Sequence, residues 1–364
     1  MTSMRGGVTL RAVLLEAGDP NRESCERELL ARGVPLALNH RAVWQLVEPN
    51  VTTWFLAVRQ GDGTCRYGVG IQVRRSRALP THLLLRVERL DPSIDPEGCD
   101  EALRGLAAAA RRRWPRVLRV NVELFSIDAA ARARAAECMK GLGFRRVEHA
   151  RMYRQTAIID LAGSEEDIFA RLRRRARRSV RLDAVSAVEI RPIGDPALIG
   201  RVDALAREAF ARTGGHYTPV DWGPVMELSR RLPELSRLTG LFRTDAEGAE
   251  SLLACEWACM HADHAQSLAA GSTRGGAASG PLAYPLVWDL LCWARQHGAR
   301  FFDFGGITVG SQESGDPRGG ISDFKRSFGP RVVEVGEEWV LEPHWVAARV
   351  AAGVARVKAK LTGG

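Results

Sequence analysis

The feature that most limits what this chain can become is a pattern that occurs twice. Strand-like runs at 53–58 and 67–73 flank Gly61-Asp62-Gly63, turn chemistry placed for a hairpin. A third run at 82–87 follows Pro80, and a helix over 100–113, a strand at 117–123 and a second helix over 128–140 come next. The first of these helices is read from Leu103, Leu106, Ala107 and Ala110, which recur at helical spacing. In the second half, runs at 238–243 and 252–261 flank Asp245-Ala246-Glu247-Gly248, and a strand at 266–270 precedes a glycine-rich loop at 271–280. A helix over 282–297 follows, with Leu286, Leu290 and Trp293 on one side, and Gly298 ends it before a strand at 301–304. The halves also echo each other locally: 140–148 reads Lys-Gly-Leu-Gly-Phe-Arg-Arg-Val-Glu and 325–334 reads Lys-Arg-Ser-Phe-Gly-Pro-Arg-Val-Val-Glu.

A length of 364 residues with 45% hydrophobic content allows two cores of about 150 to 180 residues each. The expectation is an α/β (α+β) protein of two tandem modules with mixed central sheets, at 1–160 and 161–343, followed by a basic amphipathic helix in 344–364. That last helix places Val346, Val350, Val354, Val357 and Leu361 on one face, suited to docking on a domain or, as the other reading, to peripheral contact with a lipid surface. Seven scattered cysteines, none in a Cys-x-x-Cys pair, read as reduced thiols. No run reaches the roughly 18 apolar residues of a membrane span, and the expected location is the cytoplasm.

The formal net charge of +9 favours a polyanionic partner, and the arginines show where. Ser164, with Asp167 three positions on, has the form of a helix N-cap. The helix it opens crowds Arg171, Arg173, Arg174, Arg175, Arg177, Arg178 and Arg181 into one segment. Phe169, Leu172, Ala176 and Val180 form a narrow apolar stripe that can dock it, leaving basic flanks exposed. Such crowding costs self-repulsion and suits a phosphate backbone; the plainer reading is a solvated helix paired with scattered carboxylates.

The chemistry points to 301–337. There the short strand ends in Asp303-Phe304-Gly305-Gly306, a polar glycine-rich loop occupies 308–320, and Phe324-Lys325 supplies an aromatic anchor beside one lysine. Phe328-Gly329 then turns into a strand at 332–335. Asp303-Phe304-Gly305-Gly306, Gly320-Ile321 with Phe324-Lys325, and Phe328-Gly329 with Gly336-Glu337 together resemble the FemABX family of aminoacyl-tRNA-dependent peptidyltransferases, which are built from two N-acetyltransferase (GNAT)-like modules. The resemblance implies that Lys325 is the cation facing the reacting ester, with Phe324 and Asp303 beside it and Gly305 and Gly306 opening the backbone toward substrate. It implies acceptor binding by Arg212 and Tyr217, and tRNA binding by Arg171, Arg174, Arg175, Arg178 and Arg181, although Ser179 stands where the family commonly has Asn. No heptads mark a coiled-coil insertion in 160–240.

An aminoacyl ester is already activated, so positioning and charge stabilisation suffice, and neither metal nor other cofactor is expected. The attacking amine must shed a proton, and Asp303, Glu256, Asp323 and His216 are its candidate acceptors. Cys255, Cys259, His261 and His264 suggest zinc on paper, but along a strand the two cysteines lie about 13 Å apart, too far for bonds of about 2.3 Å. Residues 274–280, Arg-Gly-Gly-Ala-Ala-Ser-Gly, stand where a CoA enzyme carries its pyrophosphate loop, with Ala277 in place of the first glycine. The leading expectation is transfer of an amino acid from tRNA to an amine of a peptidoglycan precursor or small metabolite. The alternatives are an acyl-CoA-dependent N-acyltransferase and a non-catalytic RNA-binding protein.

Overall fold

The computed structural model describes residues 9–113, 116–148, 153–181, 188–213, 219–273, 282–316, 319–344 and, at the C-terminus, 346, 349–351, 353 and 354. The chain runs β1 (Leu10–Leu15), α1 (Asn21–Ala31), β2 (Thr52–Gln60), β3 (Cys65–Arg75), β4 (Leu83–Leu90), α2 (Pro96–Arg112), β5 (Val117–Leu124), α3 (Ala129–Gly141) and β6 (Arg145–Arg146). It continues with β7 (Gln155–Asp160), α4 (Glu165–Arg171), α5 (Arg174–Val180), β8 (Val188–Pro192), α6 (Ile199–Thr213), α7 (Trp222–Arg231), β9 (Ser236–Thr244), β10 (Glu250–His261) and β11 (His264–Ser272). Last come α8 (Ala283–Gln296), β12 (Phe301–Gly306), α9 (Gly319–Ser327), β13 (Arg331–Glu334) and β14 (Glu338–Leu341).

Both expected hairpins form, on the same turn chemistry. In the first, Asp62 Oδ1 accepts from Thr64 N at 2.9 Å and Gly63 turns with φ +87°. In the second, Asp245 Oδ1 accepts from Ala249 N at 2.7 Å and Gly248 turns with φ +85°. The helices also start where their caps dictate. Asp95 accepts from Gly98 N with Pro96 in the first turn, so α2 begins earlier than its apolar periodicity suggests, and Asp128 accepts from Ala130 N and Ala131 N to start α3.

Each module holds one seven-stranded sheet, ordered β1-β2-β3-β4-β5-β14-β6 in the first and β13-β7-β12-β11-β10-β9-β8 in the second. Read in opposite directions, the two orders coincide. In both, the first three strands of the series are antiparallel neighbours, and a parallel pair, β4 with β5 or β11 with β12, is the crossover that a helix bridges. The repeat expected from sequence is therefore present strand for strand, with α3 then β6 matching α9 then β13.

The module boundary differs from the expected one. The first unit comprises 1–154 together with 334–364, and the second 155–333. Residues 155–160, expected to close the first module, pair as β7 with β12, and residues 338–341, expected in the second, pair as β14 with β5 and β6. Local pattern cannot reveal this, because a strand of four or six residues carries no address for the sheet that will accept it. Of the expected terminal helix most residues lie outside the described ones; Val346 and Val350 are 56% and 54% exposed.

The first core packs Leu56, Val69, Ile71, Val87, Val120, Val122 and Trp339 under Leu103, Leu106 and Ala110 of α2. The second packs Phe302, Phe304, Ala258 and Met260 under Tyr284, Leu290, Leu291 and Trp293 of α8. On the second sheet, α6 lies so close to β11 that a Cβ on Gly271 would stand 2.5 Å from Ala206 N. Gly271→Val should therefore cost about 1–3 kcal/mol in urea unfolding by overpacking, whereas Gly200→Ala on α6, where a Cβ meets nothing within 4 Å, should be neutral or stabilising by up to about 1 kcal/mol.

Candidate functional site

The site lies in the second module, where the ladder between β12 and β7 breaks. Asp303 pairs with Ile158 and Gly306 with Thr156, so three steps on β12 oppose two on β7. Gly305, at φ +75°, supplies the left-handed residue that the extra step requires, a conformation strained for any side chain with a Cβ. The Asp303 carboxylate, fully buried, holds this bend from within: its Oδ1 accepts from Gly305 N at 2.7 Å and from the Thr156 hydroxyl. The Gly306 carbonyl is then free of the ladder and accepts from Lys325 Nζ at 2.6 Å.

Lys325 sits on α9, whose first residues, Gly319 and Gly320, lie in the stretch expected to be loop. Phe324 anchors that helix, edge-on to Tyr284 at 4.9 Å and to Phe328 at 5.3 Å, while Tyr284 and Phe328 stack at 5.1 Å. Phe324 is thus a packing residue that fixes the lysine rather than part of its charge environment. The preceding loop is clipped to the same helix. Arg326 donates to the carbonyls of Thr308, Val309 and Gly310, Asp323 accepts from Gln312 N at 2.9 Å, and Ser322 Oγ accepts from Thr308 N at 3.1 Å.

Two carboxylates act on the ammonium. Burial pushes Lys325 down to about 8, and the charges of Asp303 and then Glu256 oppose that fall. Glu256, on β10 and 4% exposed, is pushed up to about 7 by burial, against the Ser267 hydroxyl that donates to its Oε1 at 2.7 Å and the charge of Lys325. Ser267 can reach it because β11 carries an extra residue opposite Trp257 and Ala258. Of the proton acceptors left open by sequence, Asp303 and Glu256 are therefore at the lysine, Asp323 is committed to Arg326 and Gln312, and His216 lies outside the described residues.

The matching lysine of the first module has none of this. Lys140, in the last turn of α3, is exposed and pairs with Glu137 at 2.6 Å. Only the later copy couples its lysine to buried carboxylates.

The arginine-rich segment is two helices rather than one. The Ser164–Asp167 capping box starts α4 as expected, but Leu172 and Arg173 are extended and α5 begins anew at Arg174. Like charges three and four apart along an unbroken helix would repel, and the break spreads them. The apolar stripe is buried as expected, with Leu172, Ala176 and Val180 in the second core and Phe169 edge-on to Trp288 at 5.3 Å. Arg171 donates to the carbonyls of Asp160 and Ala162 and is a structural clamp, and Arg181 lies over the Phe169 ring at 5.5 Å. Arg174, Arg175 and Arg178 are exposed, and among the described residues no arginine of 171–181 forms an ion pair. At Gly329, φ +76°, an added Cβ would stand 3.1 Å from Arg171 O, so the turn that follows α9 lies close against the break.

Arg212 is exposed on α6 and holds the end of β11 through Ser272 O at 2.6 Å and Ser272 Oγ at 3.0 Å. Tyr217 and residues 274–280 lie outside the described residues. Cys255 and Cys259 are buried with their thiols pushed up to about 12, which suits neither a nucleophile nor a ligand, and His264 stacks on Phe301 at 4.6 Å. Among the described residues no group of three His, Cys, Asp or Glu is arranged to hold a metal, and no helix is long and apolar enough to cross a membrane. Sequence reasoning missed Thr156 and Ser267, whose only signal is a hydroxyl within a strand-like run.

The ionisations above set a pH dependence of stability. Glu256, raised from an ordinary 4.5 to about 7, contributes stability that is complete below pH 4.5 and lost as pH rises through 7. Lys325, lowered from 10.5 to about 8, contributes stability that is complete above pH 10.5 and lost as pH falls through 8. Their combined contribution is least between pH 7 and 8, where both are charged. In pH-dependent urea unfolding, the change in stability from pH 4.5 to 7 should be more favourable in Glu256→Gln than in the wild type by on the order of 3 kcal/mol.

No known protein-family profile matches the chain, and no curated protein does. Solved structures do. The chain is similar to the crystal structure of FemX with a TM-score of 0.71 at 15% identity, over 87% of this chain and 95% of that one. It is similar to a tandem GNAT protein from the clavulanic acid biosynthesis pathway with a TM-score of 0.54 at 16% identity, over 92% and 99% of the chains. It is also similar to L-PGS from Bacillus licheniformis, at 0.50 and 15%, over 93% and 98%. The fold is that of tandem GNAT-like modules, as expected from sequence.

Proposed function

We propose, on the premise of a tandem GNAT-like fold shared with FemX, that this protein transfers an amino acid from tRNA to an acceptor amine, forming an amide. The observation that carries the reading is the partly buried ammonium of Lys325, held on the Gly306 carbonyl beside Asp303 and Glu256 in one module and absent in that form from the other. The FemABX resemblance of the surrounding motifs supports the donor.

The amine nitrogen attacks the ester carbonyl, and the C–N bond forms as the carbonyl π pair moves onto oxygen. Lys325 stabilises that oxyanion and then the ribose oxygen as the C–O bond breaks, charge that exists only along the reaction path. Glu256, near pH 7 in its ionisation, takes the proton from the amine and returns it to the departing ribose oxygen. Asp303 keeps Lys325 protonated and the Gly305–Gly306 bend in place. Arg174, Arg175 and Arg178 supply the exposed guanidinium face for the polynucleotide, and the acceptor is an amine of a peptidoglycan precursor or a small metabolite. Arg212 and Tyr217 are proposed to bind the acceptor.

The decisive experiment offers a pool of charged tRNAs and candidate amines, with and without ribonuclease pretreatment of the donor, alongside acyl-CoA. Amide formation should require intact RNA; product from the ribonuclease-treated pool, or turnover of acyl-CoA alone, overturns the donor assignment. Lys325→Ala should lower kcat by about 10²–10³ with donor binding little changed. The kcat/KM profile should be bell-shaped, with limbs near 7 and 8 that belong to the Glu256 and Lys325 pair, and Glu256→Gln should remove the acid limb. Replacing Arg174, Arg175 and Arg178 together by Ala should weaken tRNA binding and lower the slope of log K against log salt by about 2 to 3.

A further inference from the structure

One hydroxyl buried beside the lysine helix has no part in the reaction above. Tyr284, in the first turn of α8, joins an aromatic cluster with Phe302 and Phe304 of β12, Phe324 of α9 and Phe328 just beyond it. Phe302 lies edge-on to Phe304 at 5.3 Å, and Phe304 tilts against Phe328 at 5.3 Å. Tyr284 in turn stacks on Phe328 at 5.1 Å, with Phe324 edge-on to both. The cluster fastens α8 to the strand that carries Asp303 and Gly306 and to the helix that carries Lys325. Apolar burial asks only for the ring at position 284, which phenylalanine would supply. A phenol in a residue 2% exposed must also find its hydroxyl a partner.

The partner is Ser327, the last residue of α9 and 7% exposed. Its hydroxyl donates to the Phe324 carbonyl at 2.5 Å and lies 2.9 Å from the Tyr284 hydroxyl. The last carbonyls of a helix lack partners within it, and here the next two are taken by backbone: Lys325 O accepts from Phe328 N at 3.1 Å and Arg326 O from Gly329 N at 3.0 Å. Phe324 O belongs to the peptide group that leads into Lys325, so a buried phenol on α8 is linked through one serine to the backbone of the lysine. Ring packing sets how far α9 stands from β12. It does little to fix how the last turn is rotated, because apolar contact is not directional, whereas a hydrogen bond to that peptide group is.

We propose that Tyr284 is a positioning residue for the Lys325 ammonium, acting through Ser327 to fix the rotation of the last turn of α9 so that the side chain reaches Gly306 O. The inference rests on the reading of Lys325 as the reacting cation. Its structural half can be measured without any substrate.

NMR titration of the full chain, isotopically labelled at lysine Cε, tests it. The sequence has four lysines, Lys140, Lys325, Lys358 and Lys360, and Lys325→Arg assigns the signal. In the wild type that signal should titrate near pH 8, because burial outweighs the carboxylates. Tyr284→Phe keeps the ring and removes the hydroxyl. A turn free to rotate lets the ammonium out toward water, and the midpoint should rise toward the ordinary 10.5 by about half a pH unit or more. Ser327→Ala should do the same, and the double variant should add nothing beyond the larger single effect, since both changes break one connection. Leu290→Val thins the same core without touching that connection and should leave the midpoint in place. In the transfer assay Tyr284→Phe should lower kcat by about tenfold with KM for the donor little changed. An unmoved midpoint in both folded single variants, additive effects in the double variant, an equal rise in Leu290→Val, or an unchanged kcat in an active enzyme overturns the proposal. Absence of transfer by the wild-type protein overturns the donor reading instead, and the titration still decides the role of Tyr284. Should Tyr284→Phe not fold, the comparison of Ser327→Ala with Leu290→Val decides.

Discussion

A single bond, from the Lys325 ammonium to the Gly306 carbonyl, is what the second module is shaped to permit. A carbonyl inside a sheet belongs to its ladder, and Gly306 escapes only because β12 carries a step too many against β7. The extra step needs a left-handed residue, which Gly305 provides, and an acceptor for the displaced N–H, which Asp303 provides. The same carboxylate then offsets the cost of enclosing a cation. Backbone geometry and electrostatics are therefore one device here: removing Asp303 would loosen the bend and leave the ammonium less favourable at once.

The repeated sheet order shows why such a device can exist without undoing the fold. Both sheets have the same strand order, and each closes on a helix with a lysine near its end followed by an edge strand. In the first module that lysine stays in water beside Glu137. The first module instead pairs charges across its sheet, where Arg86 bridges to Glu88 and Glu123. Two copies of one scaffold have thus placed their charges differently.

The arginine-rich segment shows how crowding is resolved. Its apolar stripe docks it, yet repulsion along a continuous helix is avoided by the extended pair Leu172–Arg173, and Gly329 fits against that break. Arg171 is drawn inward to cap carbonyls, while Arg174, Arg175 and Arg178 remain outward. A run of identical residues has divided into a clamp and an exposed basic face, and the turn after the lysine helix abuts the break between them.

Much of this was legible in the residues alone. Turn chemistry at Gly61-Asp62-Gly63 and Asp245 to Gly248, the caps Asp128 and Ser164, the apolar repeats of the two long helices and the motif from Asp303 to Lys325 are local signals, because each depends on neighbours a few residues away. The two-module plan followed from their repetition. What only the tertiary structure decided is which sheet accepts β7 and β14, and which two of the four candidate proton acceptors stand by the lysine. Glu256 is distant from Lys325 along the chain, and its charge reaches the ammonium only after β10, β11 and β12 pair in register. Proximity of that kind depends on loop closure and packing over the whole module, and no short stretch of sequence encodes it.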